Sequence, residues 1–286
     1  MAVVNTNVNA AIAQNALVRN ERSMNTAMER LSTGQRINSA SDDAAGLAIG
    51  SRMTSQIRGL ETGIRNANDA ISMVATADGA LVEVSNMLQR MRELALQASN
   101  GTTTSADRSY LSSEYANLLS EIDRIAENTQ WNGSTILNHI TTASSQFTFQ
   151  VGANGGQTIA VDFGNMTDTV SGVFTDLKAS HSVITSTTTA SALTQGTSAV
   201  VSIDSAITSV NSQRATFGAA MNQLTYAVDN LSNVKVNSEA ARSRILDTDY
   251  AVETSELART QIIQQAGTAM LAQANQLPQT VLSLLQ

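Results

Sequence analysis

Apolar residues open the chain on a heptad. Val3, Ala10, Leu17, Met24 and Leu31 lie seven apart, with Ala13 and Ala27 at the alternate spacing and Met28 beside the seam. This is the a/d stripe of a coiled-coil-like helix. Gly34 is a residue of the kind that ends such a helix, and the stretch Ser39–Gly46 supplies Ser and Asp side chains that cap the start of the next. A second run keeps the three/four alternation through Ile57, Leu60, Ile64, Ala67, Ile71, Val74 and Leu81, with Asp78 its polar interruption. After a small phase shift it continues through Val84, Leu88, Met91 and Ala95. The run predicts one helix of roughly 40 residues, about 60 Å long, ending at Ser99-Asn100-Gly101. A third helix follows Thr102–Ser105, with Leu111, Tyr115, Leu118, Ile122 and Ile125 as its stripe and a stop at Asn128–Gly133.

The period then changes. Phe147, Phe149 and Val151 alternate, as do Ile159, Val161 and Phe163, on either side of Gly152-Ala153-Asn154-Gly155-Gly156. This pattern predicts a β-hairpin. Residues 182–198 are rich in Ser and Thr without periodicity and read as a surface loop or small insert. Helical spacing returns with Ile203, Ile207, Val210, Phe217, Met221, Leu224, Val228 and Leu231. Arg214 falls on that stripe and must snorkel or pair. The last segment carries Ile263, Ala266, Met270, Ala274, Leu277, Val281 and Leu284. The expected fold is mainly α: a long antiparallel, coiled-coil-like helical rod with a small β-hairpin region mid-chain, first helix beside last and second beside penultimate. The two end stripes are thin, and an isolated two-helix arm is marginal. Further copies of the chain are expected to supply the missing buried surface.

Composition sharpens this picture by exclusion. Aromatics are 3% of the chain and Pro278 is its only proline, which suits long uninterrupted helices. Charged residues are 14%, so the polar faces are mostly uncharged and copies can pack without repulsion. The net charge of −7 disfavours a nucleic-acid binder. There is no cysteine, which removes disulfides, zinc–thiolate sites and thiol nucleophiles. No apolar run is long enough to span a membrane, and Met1–Asn7 has no basic region followed by an apolar core, so no cleaved signal peptide is expected. Arg259 is the only cation from residue 246 onward, which favours a partner helix over a membrane surface for the last stripe. Asp42-Asp43 and Asp247-Thr248-Asp249 read as helix caps rather than metal ligands. His139 and His181 sit in no triad or metal-ligand spacing. No catalytic residue, cofactor or metal is expected, and the chain is not read as an enzyme.

Several long motifs, in order, carry a family resemblance. Leu31-Ser32-Thr33-Gly34-Gln35-Arg36-Ile37-Asn38-Ser39-Ala40 followed by Asp42–Ile49 closely resembles the N-terminal signature of bacterial flagellins. Gln89-Arg90-Met91-Arg92-Glu93-Leu94-Ala95-Leu96-Gln97 looks like their second signature, and Phe149–Asn154 is similar to their hairpin motif. Arg242–Ile245, Asp249–Ala251, Gln264–Gly267 and Leu271–Gln276 match the C-terminal one. Only about 165–200 is free of the match. The chain departs from many relatives at Ser41, where they carry Lys, and at Gln286, where they end in Arg.

The resemblance implies a structural subunit that polymerises into the motility filament. Residues 1–40 and 246–286 would form the terminal inner-tube domain, 41–165 and 200–245 the helical outer-tube domain with its hairpin, and 166–199 a short variable insert. Subunit assembly would run through Val3, Leu17, Met24, Leu31, Ile263, Met270, Leu277, Val281 and Leu284. It further implies unfolded export through the flagellar type III apparatus to an extracellular filament, and assembly at the filament tip. The implied partners are an export chaperone on 246–286 and the filament cap and hook–filament junction proteins. In the monomer, Arg90, Glu93, Leu94 and Gln97, with Glu114 on the next helix, match the region that animal Toll-like receptor 5 recognises. The Ser/Thr run 182–198 is a place for O-glycosylation in some relatives. A junction protein or a monomeric coiled-coil ligand are the competing readings.

Overall fold

The computed structural model describes residues 7–138, 146–166, 177 and 189–283, with side chains within 189–195 and 277–283 left out. His139 and His181 lie outside these residues. Five helices account for most of them: α1 Val8–Thr33, α2 Ala44–Ala98, α3 Ser105–Asn128, α4 Thr189–Leu246 and α5 Tyr250–Ser283. Two small antiparallel hairpins stand between α3 and α4, pairing β1 Gln130–Trp131 with β2 Ser134–Thr135 and β3 Gln146–Gln150 with β4 Thr158–Asp162. The chain is mainly α, as the periodicity predicts. It divides into two compact units, one of residues 1–57 with 236–286 and one of 58–235.

In the first unit α1 and α5 pack against each other as an antiparallel pair. Asn7 caps α1 by accepting from Ala10 N at 3.1 Å. Gly34 ends it at φ +71°, its amide donating to Arg30 O, and a Cβ there would lie 2.9 Å from the Tyr250 hydroxyl. The connecting loop is stitched to the α4–α5 turn by Arg36 N to Leu246 O and Thr248 N to Gly34 O. The two acids at 42 and 43 divide their labour. Asp42 accepts from the amides of Asn38 and Ser39 and from the Ser39 hydroxyl, and these bonds, the Ser39 ones foremost, lower its pKa. Asp43 caps α2 through Gly46 N at 2.8 Å. Asp249 caps α5 through Ala251 N at 2.9 Å.

Helix α2 starts well before the first periodic residue, Ile57. Two glycines conceal that start. A Cβ at Gly46 would stand 2.6 Å from Ile37 Cδ1, and one at Gly50 would stand 2.8 Å from Leu246 Cδ1. Close packing takes the place of an apolar stripe.

The core of the second unit joins α2, α3, α4 and the β3–β4 hairpin. Val74, Leu81, Leu88, Met91 and Leu94 meet Tyr115 and Ile122 of α3, Ile203, Val210 and Phe217 of α4, and Val161 and Phe163 of the hairpin. The ring of Phe163 sits 5.2 Å from both Phe147 and Phe217. Burial raises the pKa of the Tyr115 hydroxyl. Register pairs Phe149 with Ile159 and Phe147 with Val161, as the alternation predicts. The two polar interruptions of the α2 and α4 stripes are partners: Arg214 Nε donates to Asp78 Oδ1 at 2.8 Å.

The turn end of the hairpin approaches α2 at two glycines. A Cβ at Gly63 would stand 2.5 Å from the Val151 carbonyl oxygen, and one at Gly59 would stand 3.0 Å from Ala153 Cβ. Asn66 completes the contact by donating to Gln150 O at 2.9 Å.

Besides the early start of α2, which makes it 55 residues long, two elements differ from the sequence reading. The β1–β2 hairpin was hidden inside the α3 stop signal, although Asn132-Gly133, at φ 49° and 80°, is a two-residue hairpin turn. Helix α4 begins at Thr189, so residues 189–198 are helical rather than loop. Close packing again replaces periodicity, since Ala199 is buried and Gly196 lies against Ser99 at the end of α2. Hydroxyl-rich helices persist because the hydroxyls bond back to their own backbone, as Ser205, Thr208, Ser209 and Thr216 do to the carbonyls four residues earlier.

Candidate assembly and recognition surfaces

The heptad on α1 faces α5. Leu17, Met24 and Leu31 are half-buried along it, and Asn20 and Ala27 between them are buried. On α5 the facing residues are Glu253, Leu257, Thr260, Gln264, Gly267, Leu271 and Ala274, again three and four apart and all at least half-buried. This seam is small and polar as much as apolar.

Of the stripe read from the sequence on α5, Ala274 lies in that seam and Ile263, Ala266 and Met270 lie beside it. Ile263 is 43% exposed and Met270 66%, and neither faces α1. Val252 and Ile262 are also exposed on α5, as are Val8, Ile12, Val18 and Met28 on α1. The terminal pair thus carries apolar side chains both inward and outward. Val3 and Leu284 lie outside the described residues, and Leu277 and Val281 beyond the described side chains.

The second surface is on α2 and α3. Arg90 Nη2 lies 2.8 Å from Glu114 Oε1, and its Nη1 donates to Glu93 Oε2 at 3.0 Å. The Glu114 bond first, then that of Glu93, raises the pKa of Arg90, so the cation is held charged. Gln97 is exposed one turn on from Glu93. Leu94 belongs elsewhere: it is fully buried in the second unit's core and offers no surface for a partner to touch. Its role in any recognition is to seat the helix from beneath. Sequence reasoning missed Leu96, which is 50% exposed beside Gln97, and the pair of Arg92 Nε with Asp204 Oδ1 at 2.7 Å. The signal was available only for Leu96, which falls off the periodic stripe.

Among the described residues no helix is long and apolar enough to cross a membrane. Many of the described polar groups serve caps, ion pairs and bonds to backbone, while Arg30 Nε, Arg108 Nε and Asn138 Oδ1 are buried without a hydrogen-bond partner.

The pattern of the bacterial flagellin N-terminal helical region matches residues 4–142, and that of the C-terminal helical region matches 200–285. A flagellin of Halalkalibacterium halodurans is 43% identical over 284 residues, spanning 99% of this chain and 100% of the relative. Flagellin A of Vibrio cholerae is 35% identical over 99% of both chains, in an alignment of 378 positions against the 286 residues here. The Vibrio protein therefore carries insertions, and this chain is a short form without a large outer domain. The crystal structure of Bacillus cereus flagellin is 32% identical and covers 58% of this chain and 88% of its own, with a TM-score of 0.47. Two family patterns over most of the chain, and full-length identity well above 30%, place the chain in the bacterial flagellin family, the structural, non-enzymatic proteins that assemble into the extracellular filament of the flagellum.

Proposed function

We propose that this subunit is exported unfolded, adds at the filament tip, and completes its terminal unit only against neighbouring copies. The observation that carries this reading is the outward apolar face of the α1–α5 pair. Val8, Ile12, Val252, Ile262 and Met270 are each more than half exposed in the single chain. Large apolar side chains exposed along one helix pair are a surface that contacts with further copies can cover. Each such residue contributes ~1.5–3 kcal/mol when fully buried. The seam residues Val3, Leu17, Met24, Leu31, Ile263, Met270, Leu277, Val281 and Leu284 then divide between holding the pair together and joining it to other copies. Residues 1–40 and 246–286 form the inner tube, 41–165 and 200–245 the outer tube, and 166–199 a short insert. The same uncovered face on 246–286 suits a chaperone that shields it before export. Cap and junction proteins meet the filament ends.

The test is electron microscopy of purified chain, dissociated by acid or heat and returned to neutral pH with seeds. Regular filaments are expected, and none from a chain lacking 250–286. A soluble monomer with termini protected from amide exchange would overturn the reading.

One observation favours a second role for the monomer. The exposed Arg90–Glu93–Glu114 cluster with Gln97 is a fixed array of charge on one face of α2 and α3, suited to recognition by Toll-like receptor 5. Arg90→Ala is expected to weaken receptor signalling by the monomer about tenfold or more, in line with charged contacts at interfaces. Unchanged signalling by a folded variant rules the role out.

A further inference from the structure

The α1–α5 seam contains two polar layers. Asn20 is 9% exposed at the heptad position it shares with Ala13 and Ala27. Its Nδ2 donates to Thr260 O at 2.7 Å and to Gln264 Oε1 at 3.2 Å. Further along, Arg30 Nη1 donates to Glu253 Oε1 at 2.9 Å, and Glu253 is 7% exposed. The rest of the seam discriminates poorly. Leu17 lies against Gly267, and Leu257, Gln264 and Leu271 recur at the heptad spacing on α5, so a heptad slip still offers Leu17, Met24 and Leu31 a seam of the same spacing.

Of the alignments one heptad apart, the polar layers favour the observed one. Sliding α5 by a heptad in either direction puts Leu257 or Leu271 where Gln264 now meets Asn20. The same slips put Leu246 or Thr260 where Glu253 now meets Arg30. A leucine accepts no hydrogen bond, and neither replacement carries a charge. Each slip still offers Asn20 a backbone carbonyl, that of residue 253 or 267 in place of Thr260. It removes the Gln264 acceptor and the Glu253 carboxylate. One buried amide hydrogen and the guanidinium therefore lose their side-chain partners, a penalty larger than the net gain from a made bond. A buried polar residue at a coiled-coil core position fixes register in this way, at some cost in stability.

We propose that Asn20, seconded by the Arg30–Glu253 pair, sets the register in which α1 and α5 mate. Every copy then presents the same outward apolar face. A one-heptad slip moves one helix along the other by ~10 Å, which would displace Val8 and Ile12 against Met270 and spoil a repeating lattice. The inference rests on the filament reading for the setting in which register matters.

The absence of cysteine makes register directly readable. A Cβ at Gly267 would lie 3.1 Å from Leu17 Cδ2, so Leu17→Cys with Gly267→Cys reports the native alignment. Leu17→Cys with Ala274→Cys, and Leu17→Cys with Thr260→Cys, report a slip of one heptad in either direction. Each pair is placed in the full chain, assembled into filaments and mildly oxidised, and the intrachain disulfide is read on a non-reducing gel. With Asn20 present, the 17–267 bridge is expected to dominate. With Asn20→Leu, the 17–274 or 17–260 bridge is expected to rise by up to about tenfold, the population change that losing roughly one hydrogen bond allows. Because Arg30 and Glu253 still discriminate, a second background carries Asn20→Leu, Arg30→Leu and Glu253→Leu, which keeps the seam apolar and helical. Native bridging alone in both backgrounds overturns the proposal. Failure of the Asn20-containing parents to form filaments at all counts against the filament reading instead.

Discussion

At the scale of single residues, two glycines of α2 are expected to respond in opposite directions to the same change. Gly63→Ala drives a Cβ to within 2.5 Å of the Val151 carbonyl oxygen, which is backbone and cannot swing aside. The hairpin must lift from α2, at a cost of ~1–3 kcal/mol. Gly79→Ala meets nothing within 4 Å in the middle of the same helix and is expected to stabilise by ~0.5–1 kcal/mol through helix propensity alone. Thermal melts of the two variants settle the sign. The Asp78–Arg214 pair is a third case. Asp78→Ala strands Arg214 on an apolar stripe and is expected to cost ~1 kcal/mol, discounted because both groups are partly exposed. Replacing both by Leu is expected to be neutral or stabilising, and a double-mutant cycle separates the two effects.

At the scale of elements, α3 depends on its first turn. Thr104 and Asp107 form a reciprocal capping box, and the Thr104 bonds lower the pKa of Asp107. Thr104→Ala is expected to cost ~0.5–2 kcal/mol of stability, visible as a lower denaturant midpoint. The terminal pair makes a different demand. Met270→Ser removes an apolar side chain that is 66% exposed in the single chain. Monomer stability should move by no more than ~0.5 kcal/mol. If neighbouring copies bury Met270, the critical concentration for polymerisation should rise roughly tenfold or more, since ~1.5–3 kcal/mol of burial is lost. An unchanged critical concentration would place Met270 outside the contact.

For the whole molecule, the described carboxylates whose pKa shifts resolve all move the same way. Asp42, Glu61, Asp107, Glu121 and Glu256 lie below their ordinary values, through bonds to Ser39, Lys235, Thr104, Arg124 and Arg259 respectively. A carboxylate with a depressed folded-state pKa binds protons less readily folded than unfolded. It contributes stability above the unfolded pKa near ~4, and that contribution is lost as pH falls through the folded value. Stability is therefore expected to be flat from neutrality down to about pH 5 and to fall steadily below about pH 4. A set of melts across pH 2–7, roughly the range of carboxylate titration, checks the direction. Stability that rises on acidification would contradict the assignment of these bonds.

Much of this chain was legible in one dimension. The heptad on α1, the α2 stripe from Ile57, the phase of β3 against β4 and the family motifs follow from local spacing, because helix and strand periods are properties of the backbone alone. What the sequence could not decide was which side of a helix meets which partner. Ile263 and Met270 hold helical spacing, yet the α1-facing seam runs through Thr260, Gln264 and Gly267. Leu94 sits inside the second family signature and is buried within its own unit. Asp78 and Arg214 each look like an interruption until the fold sets them 2.8 Å apart. Gly46, Gly50 and Gly196 extend helices where no apolar stripe announces them, because close approach between segments distant in sequence takes the place of side-chain burial. Periodicity determines that a face exists; only tertiary packing, which brings remote positions into contact, decides what that face is for.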